Sequence, residues 1–357
     1  MEKDIYGKDL KAQIDSYYKF IKTDKNTAIL SWKRAKKIKS NIFRLNFAYF
    51  CKYTYMNIKE EIRLFLYQCK IIVKYIIVSI KFRKVKVKKY NILSDKETVD
   101  KIVNEKYSIC RYGDGEFKWA FRIQQNSFQK DSGELSKKLL NILKNYKNNE
   151  KILIGINDSL NDLSKYTISA KLYWKKFIIE LSDLIYTTLP DCEYCNSNIT
   201  RPYMDYKNKK IVRDKFENLK RIWNNREVII IEGEYTKLGV GNDLLDNCKS
   251  IKRIICPAIN AFDKYNEIMD EMKKQTKDKL FLISLGPTAT ILAYEMAQKG
   301  YQCIDIGHID IEYMWFKNGA KEKEEVAGKL VNEVSKKVDL IENIDRKYEE
   351  EIIVRIG

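Results

Sequence analysis

Asp114-Gly115-Glu116 sets two carboxylates one small residue apart. In an extended turn both point the same way. Two hard oxygen donors beside a diphosphate suit Mg²⁺ or Mn²⁺, with phosphate oxygens completing the shell. The same spacing also serves a plain polar turn whose aspartate caps the next helix. Arg111, just upstream, is placed either to clamp a phosphate or to pair with these acids. A second constellation surrounds the chain's one histidine, in Asp305-Ile306-Gly307-His308-Ile309-Asp310-Ile311-Glu312. If that segment stays extended, His308, Asp310 and Glu312 share one face and supply a general base or a further metal ligand. A hydrogen-bonded structural histidine is the plain alternative. Two glycine turns complete the set. Gly286-Pro287-Thr288-Ala289-Thr290 offers backbone N–H groups and the positive end of a helix to a phosphate, and Gly239-Val240-Gly241-Asn242 offers a second such loop. Turns of this kind also occur for geometry alone.

Segments this far apart in the chain need a scaffold that brings them to one edge. Residues 227–231, 251–256, 280–285 and 301–306 are short apolar runs rich in β-branched side chains, and read as buried strands. Helical stretches alternate with them: a short one from Asn242, an amphipathic one over 260–275, and 289–299, stopped by Gly300. Upstream, Ser94-Asp95-Lys96-Glu97 has the form of a capping box opening a helix to about Lys106. Residues 107–111 read as a strand that ends in the tight polar turn Gly113–Glu116. The alternation predicts an α/β fold: a Rossmann-like parallel sheet with helices on both faces and ligands at the carboxyl ends of the strands.

Charge divides the 357 residues unevenly. Residues 1–90 carry 23 Lys and Arg against 7 Asp and Glu, a net of +16 out of +18, and the remainder carries only +2. A near-neutral body with a basic helical arm is a poor match to a general nucleic-acid binder. Within the arm, seven cations and no acid lie between Lys33 and Lys52. Residues 64–80 follow as an apolar helix, on which Arg63, Lys70, Lys74 and Lys81 fall at steps of 7, 4 and 7, one stripe. That pattern suits an anionic membrane surface, or a helix packed on the body or a partner with its lysines at the rim. No apolar leader opens the sequence, no run of about 18 uncharged apolar residues occurs, and the eight cysteines do not resemble a disulfide framework. Cys192 and Cys195, a lone C-x-x-C, read as incidental thiols. These features predict a cytoplasmic address, peripheral at the inner face of the plasma membrane if the arm docks there. The expected divisions are the arm 1–90, the sheet domain 91–319, and a charged helical tail 320–357 packing on it.

The run Ser108-Ile109-Cys110-Arg111-Tyr112-Gly113-Asp114-Gly115-Glu116-Phe117 resembles the signature of bacterial glycosyltransferases with the GT-D fold, a family first catalogued as a domain of unknown function. Further matches follow in order: Arg201-Pro202-Tyr203, Glu232-Gly233-Glu234 through Gly239-Val240-Gly241-Asn242-Asp243-Leu244, Arg253-Ile254-Ile255-Cys256-Pro257-Ala258, the 286–290 turn, and Asp305 through Tyr313. The resemblance covers about 94–316 and implies a GT-D type fold. It also implies transfer of a hexose, of glucose type, from a UDP-sugar to a glycan or glycosylated-protein acceptor. By the same resemblance Asp114 and Glu116 would bind Mn²⁺ or Mg²⁺ and the nucleotide diphosphate. Lys237 stands where the pattern leads one to expect arginine. The arm lies outside the resemblance. A non-catalytic nucleotide-sugar or polyanion-binding protein docked at a membrane is the alternative from another class, and one that need not keep both Asp114 and Glu116.

Overall fold

The β-branched runs assemble into one nine-stranded sheet in which every strand pairing is parallel. This computed structural model describes residues 2–38, 47–123, 128–147, 151–331, 334 and 346–357. The strands are β1 (Asn91–Ile92), β2 (Ser108–Tyr112), β3 (Ile152–Ile156), β4 (Glu193–Asn196), β5 (Glu227–Gly233), β6 (Ser250–Cys256), β7 (Leu280–Ser284), β8 (Gln302–Asp305) and β9 (Ile352–Arg355). Across the sheet they lie in the order β1-β4-β3-β2-β8-β7-β5-β6-β9. From β2 the chain moves outward through β3 to β4. It then fills the other side, so the order reverses where β2 meets β8, Ile109 opposite Ile304. An open parallel sheet leaves a crevice outside the carboxyl ends of its strands at such a reversal.

Helices α1 (Glu2–Phe20), α2 (Lys25–Lys37) and α3 (Phe47–Phe82) precede the sheet. Those of the sheet region are α4 (Asp95–Glu105), α5 (Asp114–Ala120), α6 (Gly133–Asn145), α7 (Ile168–Thr188), α8 (Val212–Lys220), α9 (Tyr265–Lys273), α10 (Pro287–Gln298), α11 (Ile309–Lys317) and α12 (Arg346–Glu351). Both faces of the sheet are covered, which is why its strands are apolar without alternation. Ile229 and Ile231 of β5 join one core with Leu139 of α6, Phe177 of α7, Met269 of α9 and Leu292 of α10. Val228 and Ile230 join the other, with Ile102 of α4, Phe216 of α8 and Trp315 of α11.

The predicted α/β sheet is present, and so is the capping box. Glu97 N–H donates to Ser94 Oγ at 3.2 Å, and Ser94 N–H donates to Glu97 Oε2 at 2.9 Å. Four local expectations are corrected. Gly113–Glu116 is not a free turn but the N-cap and first turn of α5. The segment after β8 coils into α11 instead of staying extended. No helix starts at Asn242. Gly239 and Gly241 take positive φ (78° and 75°) there, and Asn242 Oδ1 captures the Leu244 N–H at 3.0 Å, an Asx turn in place of a helical one. The tail is not a helical appendage throughout. Its Ile352-Ile353-Val354-Arg355 run obeys β-propensity and adds β9 to the sheet edge, parallel to β6. Arg253 of β6 ties this end down, donating to Glu232 Oε1 at 2.6 Å and to Glu351 Oε2 at 2.7 Å.

The chain divides into two compact units, Met1–Ile77 and Val78–Gly357, earlier than the expected 90/91 boundary. The first has its own small core of Leu10, Ile14, Tyr17, Ala28, Trp32, Tyr53 and Met56. Part of the basic run between Lys33 and Lys52, residues 39–46, lies outside the described residues. Among the described residues, no helix is long and apolar enough to cross a membrane.

Candidate functional site

The strand-order reversal gathers the predicted residues, but it gives several of them different work. Arg111, next to last in β2, faces Asp305, the last residue of β8. Its Nε donates to the Asp305 carbonyl at 2.7 Å, its Nη2 to Asp305 Oδ1 at 2.8 Å and its Nη1 to the Ser197 carbonyl at 3.0 Å. Thr290 Oγ1 donates to the Arg111 carbonyl at 3.0 Å, tying α10 to the same knot. Arg111 therefore pairs with an acid, as one of its two expected roles required, but the acid is Asp305 and not Asp114 or Glu116. Three elements are locked together at the floor of the crevice. Gly307 completes the knot. At φ 49° its Cβ position lies 1.9 Å from Arg111 Nη2, so a side chain there meets both backbone strain and a guanidinium. We expect Gly307→Ala to cost about 2–3 kcal/mol, read from the urea midpoint.

The two acids predicted to flank His308 turn away from it, because a helix and not a strand carries them. Asp310 is 2% exposed. Its Oδ1 accepts the Gly239 N–H at 2.9 Å and Asn242 Nδ2 at 2.8 Å, and its Oδ2 accepts the buried Lys329 ammonium. The expected nucleotide loop and the expected base are thus brought together, with the acid holding the loop. Glu312 is fully buried, and its Oε2 accepts the N–H groups of Tyr203 and Met204 at 3.0 and 2.9 Å. Burial pushes the Glu312 carboxyl above the usual range, opposed by Arg201 and these N–H donors. The first turn of α11 is therefore an anchor for two loops, 237–242 and 201–204. His308, at the N-cap of α11, is half-buried, whereas Asp310 and Glu312 are buried.

Asp114 and Glu116 stand at the carboxyl end of β2, in the first turn of α5. Gly113 is extended at the N-cap, and its N–H donates to Glu116 Oε2 at 3.0 Å, so that donor is spent on the cap. Burial, first, and then the Asp305 charge push Glu116 up to about 7. A carboxyl raised in this way lowers stability as pH climbs from its unfolded value through about 7, and leaves it unaffected below both. The thermal midpoint of Glu116→Gln is expected to exceed that of the unmodified protein at pH 8, the gap closing toward pH 5. The Asp114 side chain is 40% exposed. Its Oδ2 accepts the Tyr173 hydroxyl of α7 and lies 3.5 Å from Lys118 Nζ, so neither contact occupies Oδ1. Among the described residues, no group of three or more His, Cys, Asp and Glu is poised for a metal. The donor chemistry still fits a hard cation that draws most of its shell from diphosphate and water, as Mg²⁺ characteristically does.

The Gly286 turn sits where expected, after β7 and at the start of α10. It keeps fewer free donors than its sequence suggests. Pro287 has no N–H, the Ala289 N–H is taken by the Gly286 carbonyl at 3.0 Å, and Thr288 is fully buried. A ring, Phe128, lies against Gly286. Sequence reasoning missed Tyr173, which no local pattern links to Asp114. It also missed a polar group beyond β3 and β4, where Tyr166 and Tyr206 stack at 4.8 Å between centroids and both hydroxyls reach Asp158. The role of Asp305 was the more legible omission: an acid closing an apolar strand needs a cationic neighbour.

The sequence model of the glycosyltransferase GT-D fold family matches residues 109–334. The chain is 36% identical over 262 residues to "Glycosyltransferase GlyD" of Streptococcus pneumoniae serotype 4, covering 73% of this chain and 32% of that protein. It is 34% identical over 270 residues to "Probable glycosyl transferase Gly" of Streptococcus gordonii, covering 75% and 39%. The chain therefore spans about a third of the length of the first of these relatives and about two fifths of the second. Among solved structures, one described as the highly conserved domain of unknown function 1792 with a distinct glycosyltransferase fold matches with a TM-score of 0.73 at 33% identity, over 78% of this chain and 100% of that one. A new glycosyltransferase (DUF1792) from Streptococcus sanguinis matches with a TM-score of 0.72 at 31% identity, over 75% and 100%. Agreement of that extent in sequence and in three dimensions settles the ancestry of the sheet and its crevice: the chain belongs to the glycosyltransferase GT-D fold family.

Proposed function

We propose that the protein transfers a hexose, of glucose type, from a UDP-sugar to a glycan or glycosylated-protein acceptor. The observation that carries this reading is the part-exposed Asp114 at the carboxyl end of β2, beside the strand-order reversal. Asp114 and Glu116 would hold Mn²⁺ or Mg²⁺ together with the diphosphate. A divalent cation there supplies positive charge against the negative charge that builds on the departing diphosphate. The loop pinned by Asp310 and the segment pinned by Glu312 position the walls of the crevice. His308 takes the proton of the acceptor hydroxyl as that oxygen bonds to the anomeric carbon and the bond from that carbon to the diphosphate breaks, an inverting transfer.

The direct test is incubation with UDP-glucose and other UDP-hexoses in Mn²⁺, following UDP release by slow hydrolysis. Release from one donor, abolished by EDTA and restored by Mn²⁺, is expected. No release from any UDP-hexose, or release indifferent to EDTA, contradicts the proposal.

A further inference from the structure

The buried positions of α3 end at Glu60, yet the helix continues to Phe82. From Ile62 to Ile77 it carries a row of exposed large apolar side chains: Ile62 is 55% exposed, Phe65 64%, Val73 56%, Ile76 53% and Ile77 52%. With Cys69 included, the steps from Ile62 to Ile76 are three, four, four and three, Ile77 lies beside them, and the row forms one face. Arg63, Lys70 and Lys74 are exposed as well, and each directly follows a member of the row or its continuation at Cys69. The cations therefore form a second row about 100° around the helix, along one flank of the apolar face. In the sequence, residues 62–94 contain nine Lys and Arg and no Asp or Glu.

We infer that this face of α3 docks on an anionic lipid surface, lying in the interface and not crossing it. The charge pattern selects the occupant. A second copy of the chain would bring like charges together along the whole flank, which is repulsive. Nucleic acid would be held through phosphates by the cations, and it leaves the row of Ile, Phe and Val with nothing to bury it. An anionic bilayer satisfies both rows at once: headgroups meet the cations, and the acyl boundary takes the apolar side chains, with lysine stems snorkelling between them. The face is convex and offers no groove, which a fluid surface can follow.

The test is flotation of the full chain with vesicles of phosphatidylcholine alone and of phosphatidylcholine with phosphatidylglycerol. Binding to the anionic vesicles only, weakened by salt, is expected. The double variant Lys70→Glu/Lys74→Glu should bind at least ~10-fold more weakly. Val73→Ser/Ile76→Ser should remove the part of the binding that salt does not screen. Lys137→Glu, an exposed change on the sheet unit, should bind as the unmodified chain does. All five positions are exposed, so folding is kept, and circular dichroism checks it. Equal binding to neutral vesicles, or anionic binding that neither double variant weakens, overturns the inference. So does a dimer in light scattering that Val73→Ser/Ile76→Ser dissolves.

Discussion

Asp114→Asn is expected to lower turnover of the UDP-sugar by ~10²-fold or more, the scale of losing one key electrostatic stabiliser of a transition state. Its fold should survive. Asn keeps the shape of the side chain and an oxygen for the Tyr173 hydroxyl, and the contact it loses, to Lys118 at 3.5 Å, is a part-exposed ion pair. Such pairs contribute about 0–1 kcal/mol, so the thermal midpoint should move little. A large loss of activity without a loss of stability separates a group that works on substrate from one that works on the fold. Near-normal turnover in Asp114→Asn contradicts the role given to this residue.

The opposite signature is expected at Asp310. Asp310→Ala removes the partner of Lys329, whose side chain is 4% exposed, and frees the Gly239 and Asn242 donors. Breaking a buried pair from one side leaves a charge without water or a counter-ion and costs about 3–5 kcal/mol. Asp310→Ala should therefore lower the urea midpoint steeply. The double variant Asp310→Ala/Lys329→Met should recover a good part of the loss, since the orphaned charge is then gone. His308→Gln should do the reverse, keeping stability and losing ~10²-fold or more in turnover, as removal of a general base does. If Asp310→Ala kept full stability and lost only turnover, Asp310 would be the base and the anchoring role would fall.

The contrast between these residues also shows how far the sequence could be read. The strands β5 to β8 were legible because a parallel sheet covered on both faces is written as continuous apolar runs. Asp114 and Glu116 stand out in the sequence as a tight acidic cluster after a buried strand, and the structure sets them at the carboxyl end of β2, in the first turn of α5. What local pattern could not give was partnership across the sheet. Arg111 and Asp305 are 194 residues apart, and only the β2–β8 adjacency makes them neighbours. The trio 308–312 was misread because alternating apolar and acidic residues satisfy a strand's period. The same residues also place Ile309 and Tyr313 one helical turn apart on the buried side of α11. Helix wins because the chain has just left β8 through Gly307 at positive φ, where a strand must turn. The C-terminal strand β9 was hidden by the charged residues before it, whose composition resembles a helix.

On the proposed function, Asp114 binds the donor's diphosphate through a divalent cation. Titration calorimetry of UDP into the full chain, with Mn²⁺ and then with EDTA, tests it most directly. UDP binding that requires Mn²⁺, is lost in Asp114→Asn and persists in His308→Gln is expected. UDP binding of equal strength in EDTA, or undiminished in Asp114→Asn, would contradict it.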